Sequence, residues 1–332
     1  MIESLKARAA RMRRGVVGAW RQVYLDADAD HRKTTILAGS GRGGTTWVGE
    51  LINHENDYRF MFEPFFARHV PEMRAFRNRQ YLRPGDEDPV FVEPARLAVT
   101  GRLRNAWVDY YNHRVIVRKR LIKEIRANLF LKWLDGRFPG MPIVLVFRHP
   151  LAVASSRFYH GWSNDLADFL RQEPLMADFL EPYRRLIETT DDPFEMHVLQ
   201  WCVENWIPLR QFRPGEIHLA FYEHLSVDPR SEIQRLFAFL HKPFSDAILD
   251  RVDRPSRMTW VREGAELPKK SDPDAWRPYV TPEQVKRSLG ILSRFGLDEL
   301  YGEAALPNVD AAPRLMQASV TVGLKAQSNP VQ

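Results

Sequence analysis

The sequence predicts an α/β protein, a central parallel sheet flanked by helices, and three observations carry that prediction. Short apolar runs alternate with longer segments of helical period through the middle of the chain. The stretch Pro142 to Phe147 is apolar without interruption and is followed by Arg148, as expected of a strand buried on both faces. A glycine-rich turn from Gly39 to Gly44 joins an apolar strand to a helix, where bare backbone amides and the helix dipole make an anion site.

Residues 4–25 are the first expected element. They form a helix with Leu5, Ala9, Met12, Val16, Trp20 and Tyr24 along one side and a basic remainder. Two roles stay open for it: lying on an anionic membrane or partner, or docking on its own domain with a solvated basic face. Thr35 to Ala38 is the first strand, followed by the turn and a helix over 45–54. Tyr58 to Phe62 is the second strand. Helical segments are expected to about Asn112, then a strand over 115–123 and a helix to about Phe138. The buried strand follows, and a helix starts at Leu151. Helices continue to Phe212, Glu216 to Phe221 is a strand, and Pro229 to Leu240 is a helix. The expected division is a basic N-terminal helix over 1–33, one catalytic domain over 34–303 and a flexible extension over 304–332, which lacks periodicity.

Composition narrows the function classes. With 332 residues, 44% hydrophobic and 27% charged, the chain is globular rather than disordered. Its one cysteine, Cys202, excludes an internal disulfide and any cysteine-rich metal site. No apolar run approaches the ~18 residues of a membrane-spanning helix. The net charge is +6, and residues 1–33 hold +4 of it, with eight basic and four acidic residues. No basic stripe interleaved with aromatics appears beyond that helix, so nucleic acid is not an expected partner.

Three motifs compete for the segment Gly39-Ser40-Gly41-Arg42-Gly43-Gly44-Thr45-Thr46-Trp47. Gly39, Gly41 and Gly44 satisfy the dinucleotide pattern, with Glu63 nineteen residues later where a ribose-binding acid would stand. Gly39 through Thr46 nearly satisfies the Walker pattern, but Thr45 stands where its lysine belongs, which argues against a Mg²⁺-dependent nucleotide hydrolase or kinase. The third reading is a cation, Arg42, followed by Gly-Gly-Thr-Thr-Trp. In this form the segment resembles the phosphosulfate-binding loop of the sulfotransferases, whose donor is 3′-phosphoadenosine 5′-phosphosulfate (PAPS).

A second anion site separates these readings. Arg148 closes the buried strand and Ser156 follows eight residues later, two helical turns along the next helix. The pair resembles the 3′-phosphate motif of the same family, with His149 where aspartate is usual. Neither rival motif predicts it. Ile217 to Leu225 resembles the family's strand ending in Tyr-Glu-Asp-Leu, which places Tyr222 near adenine. Asp274 to Gln284 resembles the C-terminal Gly-Asp-Trp segment, and Lys270 and Lys269 stand six and seven residues before Trp276, where an Arg-Lys pair contacts the 3′-phosphate. The resemblance runs over about residues 34–302, and it implies a single P-loop-NTPase-like domain.

The resemblance also implies a mechanism. Arg42, the amides of Gly43 and Gly44 and the hydroxyls of Thr45 and Thr46 would hold the 5′-phosphosulfate, and their positive field would stabilise the departing 3′,5′-bisphosphate (PAP). No metal is expected in the reaction. Trp47 is read either as packing the adenine or as a helix core residue. Glu63, in Phe62-Glu63-Pro64, resembles the glutamate base of the carbohydrate sulfotransferases. It is expected to have its pKa raised by burial among Phe62, Phe65 and Phe66. Lys123 resembles the lysine that touches the transferring group in cytosolic members; Ile125 stands where those members carry a catalytic histidine. Glu124 is the alternative base, or else an outward-facing strand carboxylate.

The leading expectation is therefore a sulfotransferase acting on a hydroxyl or amine of a glycan, glycolipid or small hydroxylated acceptor. A P-loop kinase or nucleotide hydrolase and a nonenzymatic nucleotide-binding module are the alternatives. A cytoplasmic enzyme is expected, with contact to the inner membrane face through residues 1–30 as one of the two roles open for the N-terminal helix.

Overall fold

A computed structural model describes residues 24–254, 256 and 272–316. Five parallel strands form the central sheet in the order β3-β5-β2-β6-β7. They are β2 (Thr34–Gly39), β3 (Arg59–Phe62), β5 (Arg120–Glu124), β6 (Ile143–Phe147) and β7 (His218–Phe221). A separate parallel pair joins β1 (Leu25–Asp26) to β4 (Ile116–Val117). The helices used below are α1 (Thr45–Ile52), α2 (Pro89–Val99), α3 (Leu131–Arg137), α4 (Pro150–Tyr159), α5 (Pro193–Gln211) and α6 (Pro229–Phe239). The α/β class with a parallel sheet between helices is thus observed.

Strand alternation builds two cores, one on each face of the sheet. Ile36, Ala38, Met61, Ile122, Ile143, Leu145 and Phe147 point into the larger core, with Val198, Trp201 and Leu209 of α5. Leu37, Phe60, Phe62, Leu121, Val144 and Val146 point into the smaller one, with Val48 and Leu51 of α1 and Ile233 and Leu236 of α6. Residues of both faces are buried, which is why β6 reads as a continuous apolar run.

All five strands run in one direction, so their carboxyl ends share one edge. There the chain reverses order on either side of β2, the position at which open α/β sheets bind ligands. That edge receives Glu63 after β3, Lys123 near the end of β5, the glycine loop after β2, Arg148 after β6 and Tyr222 after β7.

Several expectations differ from the structure. The helix expected over 4–25 lies outside the described residues up to 23, and its end is the strand Leu25–Asp26. Tyr24 is buried, its ring between the guanidiniums of Arg59 (4.2 Å) and Arg104 (4.4 Å). The strand expected over 115–123 divides, because β4 pairs with β1 and β5 joins the main sheet. Between β3 and β4, α2 is the α-helix of a segment otherwise built from turns and one 3₁₀ turn, since Pro64, Pro71 and Pro84 interrupt helical continuation. The extension expected to be flexible from 304 is docked as far as Met316: Ala311, Ala312 and Met316 are buried in the larger core. Two adjacent alanines let this short helical stretch approach closely without a longer apolar period to announce it.

Candidate active site

The glycine loop closes on itself before α1 begins. Gly43 N–H donates to the Ser40 carbonyl at 2.8 Å, so this amide is committed to the turn and is not free for a ligand as expected. The amides of Gly44, Thr45 and Thr46 have no hydrogen-bond partner among the described residues, and α1 has no side-chain cap. Three orphan donors and the positive end of the helix dipole therefore face the same edge. Gly44 sits at φ 90°, and a Cβ there would come within 2.5 Å of the Tyr222 ring. Gly44→Ala is thus expected to displace Tyr222 or the loop, costing about 1–3 kcal/mol of stability. Binding of PAP should fall with it, as a calorimetric titration would show.

Arg42 has a left-handed backbone (φ 72°) although it carries a side chain, a conformation that turns the guanidinium toward α4. Its Nε donates to Ser156 Oγ at 2.9 Å. Arg148 Nη1 donates to the Arg42 carbonyl at 3.1 Å, and the Arg148 guanidinium stacks on Tyr222 at 4.4 Å. Burial, then the Arg148 charge, lower the pKa of Arg42. Neither arginine makes an ion pair among the described residues, whereas the buried Arg59, Arg79, Arg120 and Arg157 all do. Two half-buried cations held together without an ion-paired carboxylate are unfavourable unless an anion joins them.

Across the edge, Glu63 lies between two cations. Lys123 Nζ is 2.6 Å from its Oε1 and Arg126 Nη1 is 2.6 Å from its Oε2. Glu63 is also left-handed (φ 45°), pinned by its N–H on the Lys123 carbonyl at 2.8 Å. Burial would raise its pKa, but the charges of Lys123 and Arg126 and their hydrogen bonds outweigh that and hold it below the usual glutamate value. This corrects the expected rise. Phe62 and Phe66 do not enclose the carboxylate in apolar surface; they stack beneath Lys123 (4.6 Å) and Arg126 (3.6 Å) and help to place the cations.

Residues 32–288 match the family model of the sulfotransferase domain. The chain belongs to the sulfotransferase family. This sulfotransferase is 21% identical over 264 residues to an uncharacterised protein of Aquifex aeolicus (strain VF5), a match covering 76% of this chain and 32% of that protein. The chain thus spans about a third of the length of the curated relative it matches. Among solved structures it is similar to the sulfotransferase domain from the curacin biosynthetic pathway (18% identity, 86% of this chain, 100% of that chain, TM-score 0.43). It is also similar to a mouse sulfotransferase complexed with PAP (15% identity, 89% of this chain, 91% of that chain, TM-score 0.41). A sulfotransferase from Mycobacterium avium shares 14% identity, covering 82% of this chain and 78% of that chain, at a TM-score of 0.41.

Other residues nominated from the sequence take more specific places in the sulfotransferase. Trp47 is a core residue: it is buried, meets Tyr222 edge to face at 5.1 Å, and its indole N–H donates to the Val252 carbonyl at 3.2 Å. It supports Tyr222 instead of offering a face to adenine. Thr45 is buried and Thr46 half-buried. Lys269 and Lys270 lie outside the described residues. Glu124 is not outward-facing. It is fully buried, its pKa is raised by burial, and it accepts from the amides of Phe65 (3.0 Å), Ile125 (2.8 Å) and Arg126 (3.1 Å). Those bonds tie the Glu63 loop to the end of β5.

His149, which stands where the family usually has aspartate, caps α4 itself. Its Nδ1 accepts from Leu151 N–H at 3.3 Å at the start of α4, and its Nε2 lies 3.2 Å from the Gly302 carbonyl, which fixes the Nε2–H tautomer. Burial lowers its pKa to about 4, so the ring is neutral. Its backbone N–H donates to the buried Glu223 at 2.7 Å, and Tyr301 OH donates to the other Glu223 oxygen at 3.1 Å. Arg148 therefore starts from a rigid strand end.

Sequence reasoning missed Arg126, Arg157, Glu204 and Glu223. Glu204 is buried and takes Arg157 Nη2 at 2.8 Å and Arg79 Nε. Gln200 and Glu204, four residues apart within the apolar run of α5, are the signal that could have announced it. Burial alone would raise the Glu204 pKa, but the charges of Arg157 and Arg79 lower it from 4.5 to about 2. A depressed carboxylate stabilises the fold fully above its unfolded value and loses that contribution as pH falls through the folded one. About 3 kcal/mol is expected to disappear between pH 4.5 and 2. Denaturant titrations of the wild type and Glu204→Gln across that window should converge at the acid end.

Proposed function

We propose that this sulfotransferase moves the sulfuryl group of PAPS to a hydroxyl or amine of a glycan or glycolipid, with Glu63 as general base. The observation that carries the donor assignment is the uncompensated Arg42–Arg148 pair beside the free amides of Gly44, Thr45 and Thr46. It is a site for two anionic groups. Arg148 and Ser156 would take the 3′-phosphate, while the amides and Arg42 would take the 5′ end, and Tyr222 would lie along the adenine. PAPS supplies an activated sulfuryl group and a bisphosphate leaving group.

Glu63 is ionised throughout the neutral range, which is the form that accepts a proton, and Lys123 and Arg126 hold both its oxygens at the carboxyl end of the sheet. A multiply anionic donor beside Lys123 offers that cation a competing partner. As Lys123 shifts toward it, Glu63 regains basicity, so the base becomes effective when donor is present. The acceptor proton then goes to Glu63 as the acceptor oxygen bonds sulfur and the bond from sulfur to the 5′-phosphate oxygen breaks. The aromatic surface beside Glu63 supports a sugar acceptor: Phe66, Trp107 and His69 are close, with His69 stacked on Trp107 at 4.0 Å. Incubation with radiolabelled PAPS and a panel of glycans, glycolipids, phenols and amines tests the acceptor class. Labelling of glycans or glycolipids above the rest is expected, and labelling of phenols alone would overturn the glycan assignment.

A further inference from the structure

Beneath the glycine loop lies a closed set of four charges that the reaction does not use directly. Arg157, Glu204, Arg79 and Asp165 have side-chain exposures of 0%, 1%, 7% and 11%. Arg157 donates from Nε to the Gly41 carbonyl at 3.1 Å and from Nη2 to Glu204 Oε2 at 2.8 Å. Arg79 donates from Nε to Glu204 and from Nη1 to Asp165. Gln200 closes the set, giving its amide N–H to Glu204 at 2.8 Å and accepting the Asp165 backbone N–H at 2.9 Å. Asn205 Nδ2 reaches Ser40 Oγ, also in the glycine loop, at 3.0 Å. Two cations and two anions cancel, so the set recruits no ligand; its product is geometry.

The geometry joins two segments that meet at the donor edge. Asp165 ends the irregular segment that carries Trp162, just before the short helix Leu166–Leu170. The Trp162 ring lies so close over the glycine loop that a Cβ on Gly41 would stand 2.7 Å from it. The backbone of Trp162 is held as well, donating to the Arg157 carbonyl at 3.0 Å. Arg79 is the member whose guanidinium faces both segments, one edge on the carboxylate behind Gly41 and the other on the carboxylate behind Trp162. Its own backbone is left-handed (φ 51°) and its carbonyl is fixed by Gln172 Nε2 at 3.1 Å, so the fork is aimed before it binds.

We infer that Arg79 is a positioning residue for sulfuryl transfer, locking the Trp162 segment against the glycine loop so that donor affinity depends on a side chain outside the donor site. The inference rests on the reading of the glycine loop as the donor site. Lysine in its place keeps the charge but cannot grip both carboxylates at once.

The test uses Arg79→Lys and, as a second variant that removes one arm at the network's most exposed end, Asp165→Asn. In folded protein of either variant, amide hydrogen exchange over 40–46 and 161–165 is expected to accelerate about tenfold before any nucleotide is added. PAP affinity should weaken about tenfold in both. A cycle of Arg79→Lys with Arg157→Lys should be non-additive in PAP affinity. Wild-type exchange and wild-type PAP affinity in both variants would overturn the inference, as would an additive cycle. Wild-type protein that binds no PAP would instead defeat the donor assignment, and the exchange measurement would still decide whether the two segments are coupled.

Discussion

Arg148→Ala is expected to weaken binding of PAP by two to three orders of magnitude without lowering the melting temperature of the ligand-free protein. The two effects have one cause. Arg148 makes no ion pair among the described residues, its nearest carboxylate influence being the buried Glu223, and it raises the cost of the neighbouring Arg42 charge, so its removal relieves a repulsion. With ligand the balance inverts, because Arg148 offers charge-assisted hydrogen bonds to phosphate, each contributing about 1.5–3 kcal/mol. It also secures the Arg42 carbonyl and stacks on Tyr222, so part of the site loosens with it. Calorimetric titration together with thermal melting separates the cases. A structural arginine would lower the melting temperature on truncation and leave PAP affinity intact.

Glu63→Gln should give the opposite pattern. Turnover is expected to fall about 10²–10⁴-fold, the contribution of a general base, while PAP affinity is retained. Ligand-free stability should fall by about 3 kcal/mol, because Lys123 and Arg126 lose the carboxylate that both contact. The pH profile supplies an independent check. Since the pairing lowers the pKa of Glu63, its carboxylate stays ionised as pH drops through the ordinary glutamate value. The wild-type rate should therefore show no acidic loss from this group between pH 7 and 5, and any loss should appear only at lower pH. Unchanged turnover in folded Glu63→Gln would remove it as the base.

The strand pattern and the residues of the candidate anion sites are legible in the sequence because they are local. The apolar run of β6, the glycine turn and the Arg148–Ser156 spacing each lie within a dozen residues, and the sheet assembles them at one edge. Charges that act through distant partners were not legible. Glu63 looked like a carboxylate in an aromatic pocket because Phe62, Phe65 and Phe66 adjoin it in sequence. Lys123 and Arg126, which decide its pKa, arrive from β5. Glu124 sits on a strand where alternation alone suggests an outward face, yet three turn amides consume it inside. Gly43 and Gly44 are equivalent in the sequence pattern, and only the closing hydrogen bond to Ser40 shows that one amide is spent while the other has no partner among the described residues. Arg79 and Glu204 lie 125 residues apart, beyond any periodicity.

The central claim is that Arg42, Arg148, Ser156 and the first amides of α1 form a site for an adenosine nucleotide anionic at both its 3′ and 5′ positions. Calorimetric titration of the purified full chain in chelator, with PAP, ATP and adenosine 5′-monophosphate in turn, tests it most directly. The expected result is one PAP site per chain, with PAP at least about tenfold tighter than either comparator, since each lacks the 3′-phosphate that Arg148 and Ser156 would hold. No PAP binding, or ATP binding as tightly as PAP, would contradict it.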